Sequence, residues 1–370
     1  MADNKVREPL FHIVKRSKVA LPFWKAWLIR IIAVLAALVF CGIITKILTG
    51  LNPLEVYKTM FEGVFKSERK MWKFAQETAM LLCVALAVTP AFKMKFWNIG
   101  AEGQVLMGGL ATAACMLLFA EKMPTWLLFV LMVATSVVAG AVWAVIPAVF
   151  KAFWNTNETL FTLMMNYIAI QLVSYFSYIW SNPKGSGKIN TINMSTEIGW
   201  LPELWGNKYI FNILIVLTLT VLMFVYLRYS KHGYELTVVG ESENTAKYIG
   251  INVKKVIIRT LLLSGAICGI AGLLLVAGTD HTVSRDTAAG RGFTAIIVSW
   301  MGKFNPAYMI LTALLLVFFD QGATQVSSFL HLNNSFSEII SGIIIFFIIG
   351  SEFFINYSIK FREKTKEAAK

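Results

Sequence analysis

The 370-residue sequence is short of charge, and shortest of acid: 15% of its residues are Asp, Glu, Lys or Arg, with 21 acidic against 34 basic. Soluble domains carry about a quarter of their residues as charge. With 57% hydrophobic residues and a mean hydropathy of +0.64, that shortage excludes a soluble fold of this size. The four cysteines, Cys41, Cys83, Cys115 and Cys268, lie in apolar stretches without metal-ligand spacing, and the four histidines are scattered. The cysteines read as small core residues, and no metal centre is expected. No tract of low complexity occurs. No G-x-x-x-x-G-K-[ST] phosphate loop is found, since GSGK at Gly185 to Lys188 has the wrong spacing. No nucleophile, base and orienting acid assemble into a pattern, which leaves a membrane-embedded hydrolase without support. The net charge of +13 would suggest nucleic acid in a soluble protein; here Lys- and Arg-rich cytoplasmic loops explain it, and nucleic-acid binding is set aside.

What is present is an all-α polytopic membrane protein of about ten transmembrane helices. Apolar runs place spans at about Leu28 to Thr49, Phe74 to Phe92, Phe96 to Ala120, Pro124 to Phe150, Leu160 to Trp180, Tyr209 to Leu227, Val256 to Thr279, Ala288 to Met301, Pro306 to Phe319 and Phe336 to Phe354. Residues 1–27 form a basic N-terminal arm, 28–356 the transmembrane domain, and 357–370 a solvated basic tail. The arm is too long for the start of a signal peptide, so the first span is read as retained. A short amphipathic helix on the far side is expected between Gly50 and Lys73. Segment 181–208, rich in Gly, Pro and Asn, reads as an outer loop, and 228–259 as the longest inner one. On that topology roughly two-thirds of the Lys and Arg residues fall inside, which puts both termini in the cytoplasm.

The most informative stretch is FWNIGAEGQVLMGG, Phe96 to Gly109, which sets Asn98, Glu102 and Gln104 in an apolar segment. An ionisable side chain near the bilayer centre costs on the order of 3 kcal/mol, so it faces a polar cavity or a partner. At helical spacing Asn98 and Glu102 share a face. Two readings stand open: a polar stripe along a pathway, or a buried glycine-packed helix whose Glu102 ties it to a neighbour. The eighth span is only about half a bilayer thick and carries Gly290, Arg291 and Gly292. Two glycine-broken spans at matching places in inverted halves point to a substrate path, and on that reading Glu102 and Arg291 lie near each other. Asn166, one or two turns into the fifth span, joins this polar set.

In the long inner loop Ser242 offers a helix N-cap, Glu243 and Asn244 follow in the first turn, Tyr248 lies near the end, and Gly250 gives a stop. The short helix so defined is either a connector or a docking element. The run from Gly240 through GIN at Gly250 to Asn252 resembles the coupling loop of permease subunits of ATP-binding-cassette importers in the ribose and branched-chain amino-acid group. NIGAEGQ at Asn98 to Gln104, NTNETLFTLMMNYIA at Asn155 to Ala169 and GRGFTAIIVSW at Gly290 to Trp300 resemble the nucleoside-importer branch of that group. The arm, the first span and 181–208 carry no comparable signature.

The resemblance implies a transport subunit of a bacterial inner membrane rather than an enzyme. It needs no cofactor of its own, because ATP is bound and hydrolysed on partner ATPase subunits that grip Ser242 to Gly250. Its other implied partners are a second permease subunit, forming a homodimer or, more in keeping, a heterodimer, and an external nucleoside-binding lipoprotein. Asn98, Glu102, Gln104, Asn166 and Arg291 are the expected pathway residues, with Phe96, Trp97, Phe293 and Trp300 as stacking faces if they are not simply core. The rivals are a permease for sugars or another small polar solute, and an ion-coupled secondary transporter in which Glu102, Glu158, Asp280 or Asp320 carries protons.

Overall fold

The computed structural model describes residues 11–15, 22–50, 52–181, 189–329 and 333–361. In chain order these form β1 (Phe11–Lys15), α1 (Phe23–Thr49), α2 (Pro53–Phe65), α3 (Glu68–Lys93), α4 (Ala101–Phe119), α5 (Thr125–Trp154), α6 (Glu158–Ile179), α7 (Ile210–Tyr229), α8 (Lys231–Glu241), α9 (Glu243–Tyr248), α10 (Val253–Leu275), a π-turn (Val276–Asp280), α11 (Arg291–Met301), α12 (Pro306–Phe329), α13 (Asn334–Asn356) and β2 (Tyr357–Phe361). Among the described residues nine helices are long and apolar enough to cross a bilayer, and α11, at eleven residues, is the short tenth. The chain is an all-α multi-pass membrane protein. The short helix expected between Gly50 and Lys73 is α2. Residues 182–188 of the expected outer loop, most of the N-terminal arm and most of the tail lie outside the described residues.

The chain divides into two compact units. The first takes Met1–Val64 and Phe319–Lys370. In it α1 packs along α13, with an ion pair between Arg30 and Glu352, the partnering that a buried guanidinium in a span requires. β1 and β2 pair antiparallel, Phe11 opposite Phe361 and Lys15 opposite Tyr357. The solvated arm and tail expected from the sequence therefore meet as a ribbon, which places both ends of the described chain on the same side.

The second unit, Phe65–Phe318, is layered by burial. α3, α4 and α10 are largely buried, whereas α5, α6 and α7 leave most of their apolar surface open, as lipid-facing helices do. α10 is its axis, packed on α3, α4 and α5. In a bilayer apolar surface alone does not drive helices together, and close backbone approach does. Gly265 and Gly269 supply it in a small-xxx-small pair: a Cβ added at Gly265 would lie 2.3 Å from the Gly140 carbonyl oxygen of α5, and one added at Gly108 of α4 would lie 2.5 Å from Gly269 Cα.

Gly265→Leu should therefore separate α10 from α5, costing about 3 kcal/mol or more and giving aggregated or low-melting protein on size exclusion in detergent. Gly342→Leu, where an added Cβ meets nothing within 4 Å, should leave the thermal midpoint unchanged.

Candidate functional site

α3 ends at Lys93, Lys95 turns back with φ 61°, and the chain runs without helix from Phe96 to Ile99, resuming at Ala101. Asn98 is therefore not on a helix face with Glu102, a correction to the spacing argument. The glycines and polar residues break the helix, and side chains satisfy the backbone that the break releases. Asn98 Oδ1 accepts from Gly100 N–H and from Gln104 Nε2, both at 3.1 Å, and its Nδ2 donates to Ser264 Oγ at 3.2 Å. Asn166 of α6 spans the break, donating to Ile99 O at 2.8 Å and accepting from Gly103 N–H at 2.9 Å. Thr162 Oγ1 accepts from Ile99 N–H at 3.2 Å. Asn98, Gln104 and Asn166 are all fully buried, and Gln104 Oε1 has no partner.

Glu102 stands in the first turn of α4, and its two oxygens accept from Gly290 N–H and Gly292 N–H, each at 2.7 Å. Those amides belong to the start of α11, so one buried carboxylate faces the N-termini of two helices, where unpaired N–H groups and the helix dipoles favour negative charge. Gly292 is required by the contact: a Cβ there would lie 2.4 Å from Glu102 N. Glu102 and Arg291 come together as the inverted-halves reading expects, but through backbone. The Arg291 guanidinium turns to Glu77 of α3 at 2.5 Å and to the carbonyls of Thr287 and Ala288. Glu77 was not anticipated; its signal was a carboxylate one turn into an apolar run, beside Gln76.

α11 runs parallel to α3, for Arg291 meets Glu77 near one end and Ser299 Oγ meets Thr89 Oγ1 at 2.8 Å further on. Of the candidate stacking residues, Phe96 is buried, while Trp97, Phe293 and Trp300 are half-exposed. Trp97 and Trp300 tilt against each other at 5.6 Å, with Phe92 edge-on to both. Glu158 is paired with Lys151 at 2.9 Å, and Asp280 ends the π-turn.

At the Lys93 end of α3 the loop expected to be inner folds into two helices, where one was expected. α9 begins as the sequence indicates, with Ser242 Oγ accepting from Thr245 N–H at 3.2 Å, and Gly250 reverses the chain at φ 82°. Ala246 is its buried anchor; Glu243, Asn244 and Ile249 are exposed, and Tyr248 is 91% exposed. The unanticipated α8 links α9 to the broken segment: a Cβ at Gly240 would lie 2.3 Å from the Lys93 carbonyl oxygen. Its other end is fixed by Glu235, which accepts from Arg259 at 2.8 Å. That guanidinium holds the Glu235 carboxyl below the usual carboxylate range.

Comparison with known proteins matches residues 71–349 to the family described as branched-chain amino acid transport system / permease component. The chain is similar to the glucose ABC transporter permease protein TsgB13 of Haloferax volcanii, 29% identical over 91% of this chain and 91% of that protein. It is similar to the guanosine ABC transporter permease protein NupP of Bacillus subtilis, 28% identical over 90% and 94%. It is likewise similar to the nucleoside ABC transporter permease protein NupB of Lactococcus lactis, 26% identical over 86% and 90%.

Glu102→Ala should orphan the Gly290 and Gly292 amides at a cost of about 2–4 kcal/mol and lower the thermal midpoint in detergent. Glu102→Gln, which keeps one acceptor but turns an NH2 toward the second amide, should fall between. A wild-type midpoint for the alanine variant would mean that the carboxylate does not hold the two helices.

Proposed function

Since the chain belongs to the permease-component family of the branched-chain amino acid transport system type, we propose that it is the membrane subunit of a nucleoside importer, working beside a second permease of similar build. Two such subunits enclose the translocation path. Separate ATPase chains hydrolyse ATP and grip α9, and an external binding lipoprotein delivers the solute. The termini, the β1–β2 ribbon and α9 lie in the cytoplasm, and the domain limits at 28 and 356 mark where the chain enters and leaves the bilayer. Asn98, Glu102, Gln104, Asn166 and Arg291 act on the path from behind, by shaping the break between α3 and α4 and the start of α11.

The observation that carries the reading is α9. A six-residue helix that leaves Tyr248 and Ile249 in the open is a poor connector, since an exposed aromatic gains nothing without a partner to bury it. The path inward supports the same role. Displacement of α9 reaches α8, and Gly240 of α8 abuts the backbone from which the chain climbs back through Asn98 to Glu102. ATP-driven movement of α9 would then act on the paired helix starts. For the ion-coupled rival, Glu102 is occupied by two amides and Glu158 by Lys151, which leaves neither carboxylate open to shuttle protons.

Two of the cited relatives are named for guanosine or nucleoside and one for glucose, so a sugar is the second reading. Stimulation of ATP hydrolysis by guanosine but not glucose, in the complex with its binding lipoprotein, decides between them.

Tyr248→Asp and Glu243→Arg should each reduce ATPase co-purification and solute uptake roughly tenfold or more, with membrane insertion and thermal midpoint unchanged because both side chains are exposed. Normal uptake in both variants would count against α9 as the coupling element.

A further inference from the structure

At the end of α3 opposite Lys93, and so on the face opposite α9, a cavity of about 490 Å³ opens among the first turns of α3, the π-turn and Tyr209. Gln76 lines it and is 2% exposed, yet neither its amide oxygen nor its amide nitrogen has a partner. Buried amides are nearly always paired, because an unmade bond there is costly. A buried amide with neither donor nor acceptor engaged, on a residue that lines a cavity, is poised to turn to a ligand. The second wall is independent of the first. It is a π-turn, a form concentrated at functional sites, and it presents Thr279 and Asp280 to the same space. Glu77 closes the floor, already taken by Arg291, whose neighbours Gly290 and Gly292 hold Glu102. The cavity thus abuts the junction of the two helix starts.

The Thr279 hydroxyl donates to Leu275 O at 3.0 Å, so the groups left for a solute are an amide offering one donor face and one acceptor, the Asp280 carboxylate and the ring of Tyr209. A carboxylate suits adjacent hydroxyls, an amide suits the planar donor–acceptor edge of a heterocycle, and a phenol ring suits its face. A hexose has the first of these features and lacks the other two. We infer that this cavity is the outward-side nucleoside site, with Asp280 accepting from the ribose hydroxyls and Gln76 pairing with the edge of the base. The inference rests on the nucleoside reading above and names the side chains that would enforce it. Arg69, Lys73 and Lys208 stand around the mouth and repel cationic solutes, so a nucleoside 5′-monophosphate is the sharpest competitor.

The test is guanosine uptake by the assembled transporter in proteoliposomes. Asp280→Asn and Gln76→Leu should each raise the KM for guanosine about tenfold, as lost hydrogen bonds to a charged and a neutral partner do, with kcat changed less than twofold. A second measurement needs neither variant. All four native cysteines are buried, so Thr279→Cys gives one outward thiol. Its modification by a methanethiosulfonate reagent should be slowed by millimolar guanosine and not by 2′,3′-dideoxyguanosine. Unchanged KM in both variants, or no protection of the thiol, would overturn the site while leaving a guanosine-transporting wild type intact. Protection by glucose or guanosine 5′-monophosphate as strong as that by guanosine would overturn the ligand assignment. A wild-type complex that moves no guanosine would instead remove the nucleoside reading, and this inference with it.

Discussion

Two helices that begin inside a bilayer-spanning fold each bring N–H groups that lipid cannot satisfy, and here Asn98 and Asn166 serve the start of α4 while a carboxylate of α4 serves the start of α11. Glu102 lies in the first turn of α4 and receives the first amides of α11. Much of the second unit follows from that capping. α11 can stop at eleven residues because its start is capped by another helix's side chain rather than by water. Gly292 is needed because Glu102 approaches its backbone directly, and Gly290 because its φ of 71° lies in the left-handed region. With both glycine amides committed to α4, Arg291 is free to tie the same junction to α3 through Glu77. Three helices are thereby fixed at one point by groups that would each be costly alone.

Around that junction the unit combines a part interlocked backbone to backbone with a part held by side-chain hydrogen bonds. α10 meets α4 and α5 backbone to backbone at Gly265, Gly269 and Gly272, where no side chain can yield. The segment Phe96–Gly100 has no helix of its own, and is held by the side chains of Asn98, Thr162 and Asn166. Hydrogen bonds of that kind exchange more readily than interlocked glycines. A push delivered through α8 at Gly240 would be taken up there, with α10 as the fixed frame.

The order of spans was legible because apolar runs of bilayer length have no other use in a chain this poor in charge. α9 was legible because capping is local chemistry: Ser242 and Gly250 do what their side chains dictate. The proximity of Glu102 to Arg291 was expected from two glycine-broken spans read as inverted halves, yet the partner of each was not. Glu102 binds backbone, which no residue pattern announces, and Arg291 binds Glu77, whose sequence signal was only a carboxylate beside Gln76. Asn98 misled because helical spacing was carried through the break between Lys93 and Ala101, where Lys95 turns back at φ 61°. α8 was hidden in a polar run where packing against Lys93, not periodicity, decides the conformation.

The first unit is built from the two ends of the described chain, and that has a consequence for biogenesis. Arg30 and Glu352 are separated by 322 positions, and β1 waits as long for β2. During synthesis α1 thus enters the membrane long before Glu352 exists, and every span before α13 is made before that carboxylate arrives. Until then the tie between α1 and α13 is missing, and the nascent N-terminal strand offers an unpaired edge. Closure of the first unit is accordingly a late, post-insertional step, and a ribosome stalled short of Glu352 leaves behind an open half-product of the kind that membrane quality control removes.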